Sequence, residues 1–201
     1  MFTGLIEEVG SVLAFETKNG GALLQIAAPR LSEKIQIGDS VAVNGCCITV
    51  AAHREDQLFF DLLEETLERT NLKALRRDNP VNLELALPAE GRLGGHFVQG
   101  HIDCATRIRA LAKTGADLGL EVELPAAFAN YVVCKGSIAV NGVSLTVAKL
   151  SPQSFTVWII PHTRMETNLG TARVDDLVNL EFDLLAKYVE RMLIRPVVRS
   201  E

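Results

Sequence analysis

Asn44-Gly45-Cys46-Cys47-Ile48-Thr49-Val50 recurs as Asn141-Gly142-Val143-Ser144-Leu145-Thr146-Val147, 97 positions further on (44 to 141). The same offset carries Ser40-Val41-Ala42-Val43 onto Ser137-Ile138-Ala139-Val140, and Thr70-Asn71-Leu72 onto Thr167-Asn168-Leu169. It also carries Val81-Asn82-Leu83-Glu84 onto Val178-Asn179-Leu180-Glu181. With one residue of slippage, Met1-Phe2-Thr3-Gly4-Leu5-Ile6-Glu7 meets Phe97-Val98-Gln99-Gly100-His101-Ile102-Asp103. Separated blocks that keep their order at one offset mean a duplicated domain, since solenoid repeats are only about 20–50 residues long. The copies are expected to divide near Gly94-Gly95-His96, after the loop Pro88-Ala89-Glu90-Gly91. This gives a first unit over 1–96, a second over 97–185 and a tail over 186–201. Each unit has about the minimum size that buries a core alone.

Within a copy the pattern is β-rich. Ser40–Val50, Leu58–Leu63 and Val81–Leu87 carry β-branched and aromatic residues at strand spacing, as do Ser137–Val147, Phe155–Ile160 and Val178–Phe182. Asn44-Gly45 and Asn141-Gly142 read either as tight hairpin turns or as bulges inside long strands. Thr66–Leu72 and Thr163–Leu169 read as short helical turns opened by a threonine cap. Several short strands in so few residues predict a small closed antiparallel barrel in each copy. The tail differs: from Asp183 to Arg195, Leu185, Val189, Met192 and Leu193 recur at helical spacing, and Pro196 marks the stop. A helix this short is marginal alone. Its narrow apolar stripe suits a bundle between subunits, with docking on its own barrel as the alternative.

Composition narrows the function. The chain has 201 residues, 20 Lys and Arg against 25 Asp and Glu, and a formal charge of −5 without long runs of one sign. That is not the basic stripe that nucleic acid demands. No apolar run approaches the roughly 18–20 residues that span a bilayer. The N-terminus lacks the basic patch and apolar core of a secretory signal, and Glu7 and Glu8 do not suit a transit peptide. The four cysteines (Cys46, Cys47, Cys104, Cys134) form no C-x-x-C pair and read as reduced thiols of a cytoplasmic protein. Cys46 and Cys47, as strand neighbours, face opposite sides. His96 and His101 are five apart with no cysteine pair beside them, so no metal site is expected.

Met1 to Glu8, Gly38 to Val50, Gly94 to Asp103, Lys135 to Val147 and Val178 to Asp183 together resemble the riboflavin synthase family, over nearly the whole chain. The resemblance implies two six-stranded antiparallel Greek-key barrels followed by a C-terminal α-helix, mainly β, with three chains associating through those helices. It implies transfer of a four-carbon unit between two molecules of 6,7-dimethyl-8-ribityllumazine, giving riboflavin and 5-amino-6-(D-ribitylamino)uracil. The site would lie between the first barrel of one chain and the second barrel of a neighbour, with no cofactor. It also admits association with a lumazine synthase. The family includes non-catalytic members that hold a lumazine or flavin as a chromophore, the alternative reading. Asn141 stands where many members carry Asp, which removes a carboxylate from any mechanism that needs one there.

By the same resemblance, one lumazine pocket is formed by Gly4-Leu5-Ile6, Cys47-Ile48-Thr49 and Asp61-Leu62-Leu63-Glu64-Glu65-Thr66. The other is formed by Gly100-His101-Ile102, Lys135, Ser144-Leu145-Thr146, Ile160-Pro161-His162-Thr163-Arg164-Met165 and Asp183. Backbone amides and short hydroxyls suit the alternating donors and acceptors of a pteridine. A strand Ser or Thr ordinarily just satisfies backbone, but Cys47 and Ser144, and Thr49 and Thr146, recur in register. The reaction begins with loss of a proton from a lumazine 7-methyl group. His101 is the first choice as proton carrier, because free imidazole titrates at about 6.5, and His96 is the second. His53 and His162 read as surface or rim residues. Cys47 or Ser40 could assist as nucleophile or hydrogen-bond partner, or Cys47 could be inert packing. Phe2 reads as a stacking platform or a core anchor, and Asp183 as an orienting carboxylate or a helix cap.

Overall fold

The computed structural model describes residues 1–193. The first copy comprises β1 (Glu8–Lys18), β2 (Gly21–Ala27), α1 (Pro29–Ser32), β3 (Ser40–Val43), β4 (Cys46–Arg54), β5 (Gln57–Leu63), α2 (Glu64–Arg69) and β6 (Pro80–Leu85). Its strands close into a barrel in the order β1-β2-β5-β4-β3-β6, every neighbouring pair antiparallel. The second copy comprises β7 (Cys104–Thr114), β8 (Asp117–Glu123), β9 (Ser137–Val140), β10 (Val143–Ser151), β11 (Ser154–Ile159), α3 (Pro161–Glu166) and β12 (Leu177–Phe182). It closes in the equivalent order β7-β8-β11-β10-β9-β12. A last helix, α4 (Leu184–Leu193), follows.

Each barrel is filled by the inward residues that alternate along its strands. Leu24, Ile26, Val41, Val43, Ile48, Leu58, Phe60 and Leu83 lie in the first core, and Leu120, Val122, Ile138, Val140, Leu145, Val157 and Leu180 in the second. The duplication extends to irregularities. Bulges at Val12/Ala14 and Val50/Ala52 are matched at Ile108/Ala110 and Val147/Lys149. The one-residue slip falls between the second and third strands of each copy, where a 3₁₀ turn over Ala126–Tyr131 replaces the shorter α1.

Asn44-Gly45 and Asn141-Gly142 are hairpin turns and not bulges. Val43 pairs with Cys46 and Val140 with Val143, leaving two-residue loops. Both residues of each loop have positive φ, as a type I′ turn requires. The expected long strands are therefore each two short ones. The short helices also start earlier than expected. Thr66 and Thr163 lie inside α2 and α3, neither of which has a side-chain cap at its start. Thr70 instead caps the following 3₁₀ turn, accepting a bond from the Leu72 N–H, while its hydroxyl donates to the Thr66 carbonyl.

The two barrels meet along a pseudo-twofold axis at those hairpins. A Cβ on Gly45 would lie 2.7 Å from the Gly142 nitrogen, and one on Gly142 equally 2.7 Å from that of Gly45, so the turns touch back to back. Around them six asparagines are bonded across the axis. The Asn82 amide donates to the Asn141 carbonyl and the Asn179 amide to that of Asn44, both at 2.9 Å. Asn82 Oδ1 accepts the Asn168 N–H at 2.7 Å, and Asn179 Oδ1 accepts the Asn71 N–H at 2.6 Å. Asn141 therefore serves the barrel contact, its Oδ1 accepting from the Asn179 N–H and the Asn71 amide. A groove of about 700 Å³ opens beside this network.

Above the hairpins the two N-terminal arms cross. Phe2 pairs with Val98 through bonds of 2.7 and 3.2 Å, and the two side chains form a small core between the barrels with Ala42 and Ala139.

Candidate active site

Outward-facing residues of the central hairpins carry the recurring polar groups. On the first barrel Ser40, Cys47 and Thr49 share the outer face of β3 and β4, because Val41, Cys46, Ile48 and Val50 point into the core. On the second, Ser137, Ser144 and Thr146 share the outer face of β9 and β10. Ile48, Leu62 and Leu145 are core residues, so they offer only backbone to the outside.

The arms reach across, and this regroups the expected residues. The Ser144 N–H donates to the Gly4 carbonyl at 2.8 Å, and the Cys47 N–H to the Gly100 carbonyl, also at 2.8 Å. Ile6 packs against the second core and Ile102 against the first. Gly4-Leu5-Ile6 thus adjoins Ser144-Leu145-Thr146, and Gly100-His101-Ile102 adjoins Cys47-Ile48-Thr49, the reverse of the expected grouping. Both arm glycines have positive φ, and both press on the opposite strand. A Cβ on Gly4 would lie 2.6 Å from the Ser144 Cβ, and one on Gly100 2.4 Å from that of Cys47.

Two buried carboxylates hold the arms. Glu84 Oε1 accepts the Thr3 N–H at 2.6 Å and its hydroxyl at 2.7 Å, and Oε2 accepts the Gly4 N–H at 3.0 Å. Glu181 accepts the Gln99 N–H at 2.6 Å and the Gly100 N–H at 2.8 Å. Burial raises both carboxyls above their ordinary value, against these hydrogen bonds, and Glu181 reaches about 6. Neither was singled out from sequence. The available signal was a pair of polar residues, Asn82 and Glu84, at alternate positions in a strand repeated in the second copy.

The two faces differ chemically. His101 is exposed beside the Cys47 face, where its counterpart on the other arm is Leu5. His96 has no counterpart. It is buried, with Nδ1 2.7 Å from the Ser144 hydroxyl. Burial lowers its pKa, opposed by the nearby Asp183 carboxylate, so the neutral ring is favoured. Gly95 lets it in, since a Cβ there would lie 2.0 Å from the Thr3 carbonyl oxygen. Asp183 also accepts the Leu185 N–H at the start of α4, as in its helix-cap reading. Phe2 is fully buried, with no ring face free to stack on a ligand, so of its two readings the core anchor holds. Ser40 opens on a cleft of about 530 Å³ with Thr3, Leu5 and Glu84. Burial pushes the Cys46 and Cys104 thiols up to about 12, so they stay protonated.

The segments after β5 and β11 are open to solvent. Asp61, Leu63, Glu64 and Glu65 are exposed and Thr66 is half-buried; Ile160, Pro161, His162 and Met165 are exposed, with Thr163 and Arg164 half-buried. Lys18 pairs with Asp61 at 3.6 Å. Lys135 is exposed at φ 68, in the place that Gly38 takes in the first copy. A lysine held in left-handed backbone is a strained choice of the kind that gathers at functional sites. His53 is half-buried, bonded to the Glu55 carbonyl. In α4 the half-buried Lys187 and Glu190 face the second barrel, bonding Asp103 at 2.6 Å and Tyr131. Leu185, Val189, Met192 and Leu193 are exposed, so the stripe does not dock on its own barrel; Arg195 and Pro196 lie outside the described residues.

The lumazine binding domain model matches residues 3–86 and again 99–183. The chain is 46% identical over 197 residues to riboflavin synthase of Mycobacterium bovis, covering 96% of this chain and 98% of that one. It is 41% identical over 195 residues to riboflavin synthase of Actinobacillus pleuropneumoniae, covering 97% and 91%. Among solved structures, that of LumP complexed with riboflavin superimposes with a TM-score of 0.85 at 25% identity, over 90% of this chain and 99% of that chain.

Proposed function

The chain belongs to the lumazine-binding domain family, and from that premise we propose that it converts two 6,7-dimethyl-8-ribityllumazine molecules to riboflavin and 5-amino-6-(D-ribitylamino)uracil. The observation that carries this reading is the pair of matched outer faces, each a hairpin with recurring polar groups completed by a crossed arm. Two copies of one substrate need two related pockets. They also need to play different parts, one giving up four carbons and the other receiving them. The thiol and exposed imidazole of one face, against the hydroxyl and buried imidazole of the other, provide that difference. Electrons stay within the pair, so no redox cofactor is called for. Holding two flat rings in register supplies most of the acceleration, an effect of about 7–11 kcal/mol in favourable cases. His101 carries the methyl proton, and His96 orients the Ser144 hydroxyl toward the second ring. Incubation with the lumazine alone should give about half a riboflavin per lumazine consumed, by the two-to-one stoichiometry that positioning catalysis serves here. Tight binding without turnover would make the chain a chromophore holder and sink the enzymatic reading.

The enzyme acts as a cytoplasmic homotrimer, its site formed between the first barrel of one chain and the second of the next. The exposed stripe of α4 supports this, as do the exposed Leu63, Ile160 and Met165 beside the pocket faces. A chain ending at Asp183 should keep both barrels folded, sediment as a monomer and lose about 100-fold or more in turnover, the scale of a lost positioning effect. A monomer with full activity would refute the shared site.

A further inference from the structure

Glu84 and Glu181 occupy one position in the two barrels and have no part in the chemistry proposed above. Each is nearly fully buried, at 3% and 2% exposure. A carboxylate at such depth is costly unless its oxygens are satisfied. Here they are satisfied by consecutive backbone N–H groups of an arm. From Glu181 the chain of contacts runs through the Gly100 N–H, then from the Gly100 carbonyl to the Cys47 N–H on the first barrel, with His101 next along the arm. From Glu84 it runs through Gly4 to Ser144 on the second barrel. Two independent copies of one geometry, each crossing the barrel boundary, argue against an incidental contact.

The structure assigns Glu84 and Glu181 as positioning residues that act in trans between barrels: Glu181 of the second barrel sets the pocket on the first, and Glu84 of the first sets the pocket on the second. What fills those pockets rests on the lumazine reading above; the crossed geometry does not. A glutamine keeps the size of the side chain but has one accepting oxygen in place of two and turns an NH₂ group toward one of the N–H donors.

Alkylation of Cys47 in the full chain, followed by mass spectrometry without ligand, reads the first pocket directly. Glu181→Gln should raise that rate about 10-fold or more, as expected when charge-assisted hydrogen bonds to a buried group are lost. Glu84→Gln, whose arm reaches Cys47 only through the packing of the Phe2 ring, should raise it far less, and exposed Cys134 provides the internal reference. The riboflavin concentration that protects Cys47 should rise correspondingly in Glu181→Gln, and far less in Glu84→Gln. A purely structural role would loosen each residue's own barrel, so an equal response in both variants, or none in Glu181→Gln, overturns the assignment. Should Glu181→Gln not fold, Gly100→Ala displaces the same arm through the Cys47 contact and must give the same rise. If riboflavin fails to protect Cys47 in the wild type while the unliganded rates still separate, the lumazine reading falls and the positioning role stands.

Discussion

Asn179→Leu is expected to destabilise the chain by about 2–6 kcal/mol, since two buried backbone groups lose their partners at about 1–3 kcal/mol each. Leucine keeps the branched heavy-atom skeleton of asparagine but its methyl groups are bulkier, so some overpacking adds to the polar loss. The orphans are the Asn71 N–H, now bonded at 2.6 Å, and the Asn44 carbonyl, at 2.9 Å. Asn179 is fully buried, which leaves water no ready access to replace it. Domains of this size have a total stability of only about 5–15 kcal/mol, so the change is readily measured by urea unfolding. Asn82→Leu should cost a similar amount, because it orphans the matching pair, the Asn168 N–H and the Asn141 carbonyl. The double variant should cost less than the sum, as both residues serve one network. A loss below about 1 kcal/mol in either single variant would mean that the barrels are held chiefly by the arms and not by the asparagines.

The duplication and the barrel class were legible because each has a local signature, an offset or a period of two, whereas Asn-Gly left a tight turn and a bulge inside a long strand equally open. The outer faces of the hairpins were legible for the same reason, since alternation tells which of Cys46 and Cys47 faces out. The starts of α2 and α3 were not, because the residues before them are Leu63 and Ile160, whose side chains cannot cap, while Thr66 and Thr163 lie inside the helices and lend only their carbonyls, to the Thr70 and Thr167 hydroxyls. Nor was the crossing of the arms. Chain order says that Gly4 precedes the first barrel, not that its carbonyl meets Ser144. That contact depends on the angle between two barrels, fixed by asparagines and glycines whose partners are up to 135 positions away. Glu84 and Glu181 were hidden similarly, as a carboxylate in a strand ordinarily reads as a solvated residue. A glutamate whose folded value lies above its ordinary 4.5, as for Glu181 at about 6, weakens the fold above that range and not below it. The ionised clamp at neutral pH therefore works against stability and for the placement of an arm.

Phe2→Ala should have the largest combined effect. The ring is fully buried between the barrels, against Val98, Ala42 and Ala139, and large-to-small changes of this type cost about 3–5 kcal/mol. Little can collapse into the space, because the neighbours are alanines on the rigid strands β3 and β9 and the paired Val98 backbone. The consequence for function is more specific than lost stability. Phe2 lies two residues before Gly4, which meets Ser144, and its Cε2 is 2.9 Å from where a Gly100 Cβ would be. One ring therefore braces both arms, and its loss should disturb both pockets. Lumazine turnover should drop by about 100-fold or more even at temperatures where circular dichroism shows the variant folded, the scale seen when reacting groups shift by about 1 Å. Phe2→Leu, which refills most of the space, should recover much of the stability and part of the turnover. If Phe2→Ala is destabilised as expected yet turns over lumazine at the wild-type rate, the crossed arms do not set the reacting geometry, and the pockets must owe their alignment to the strands alone.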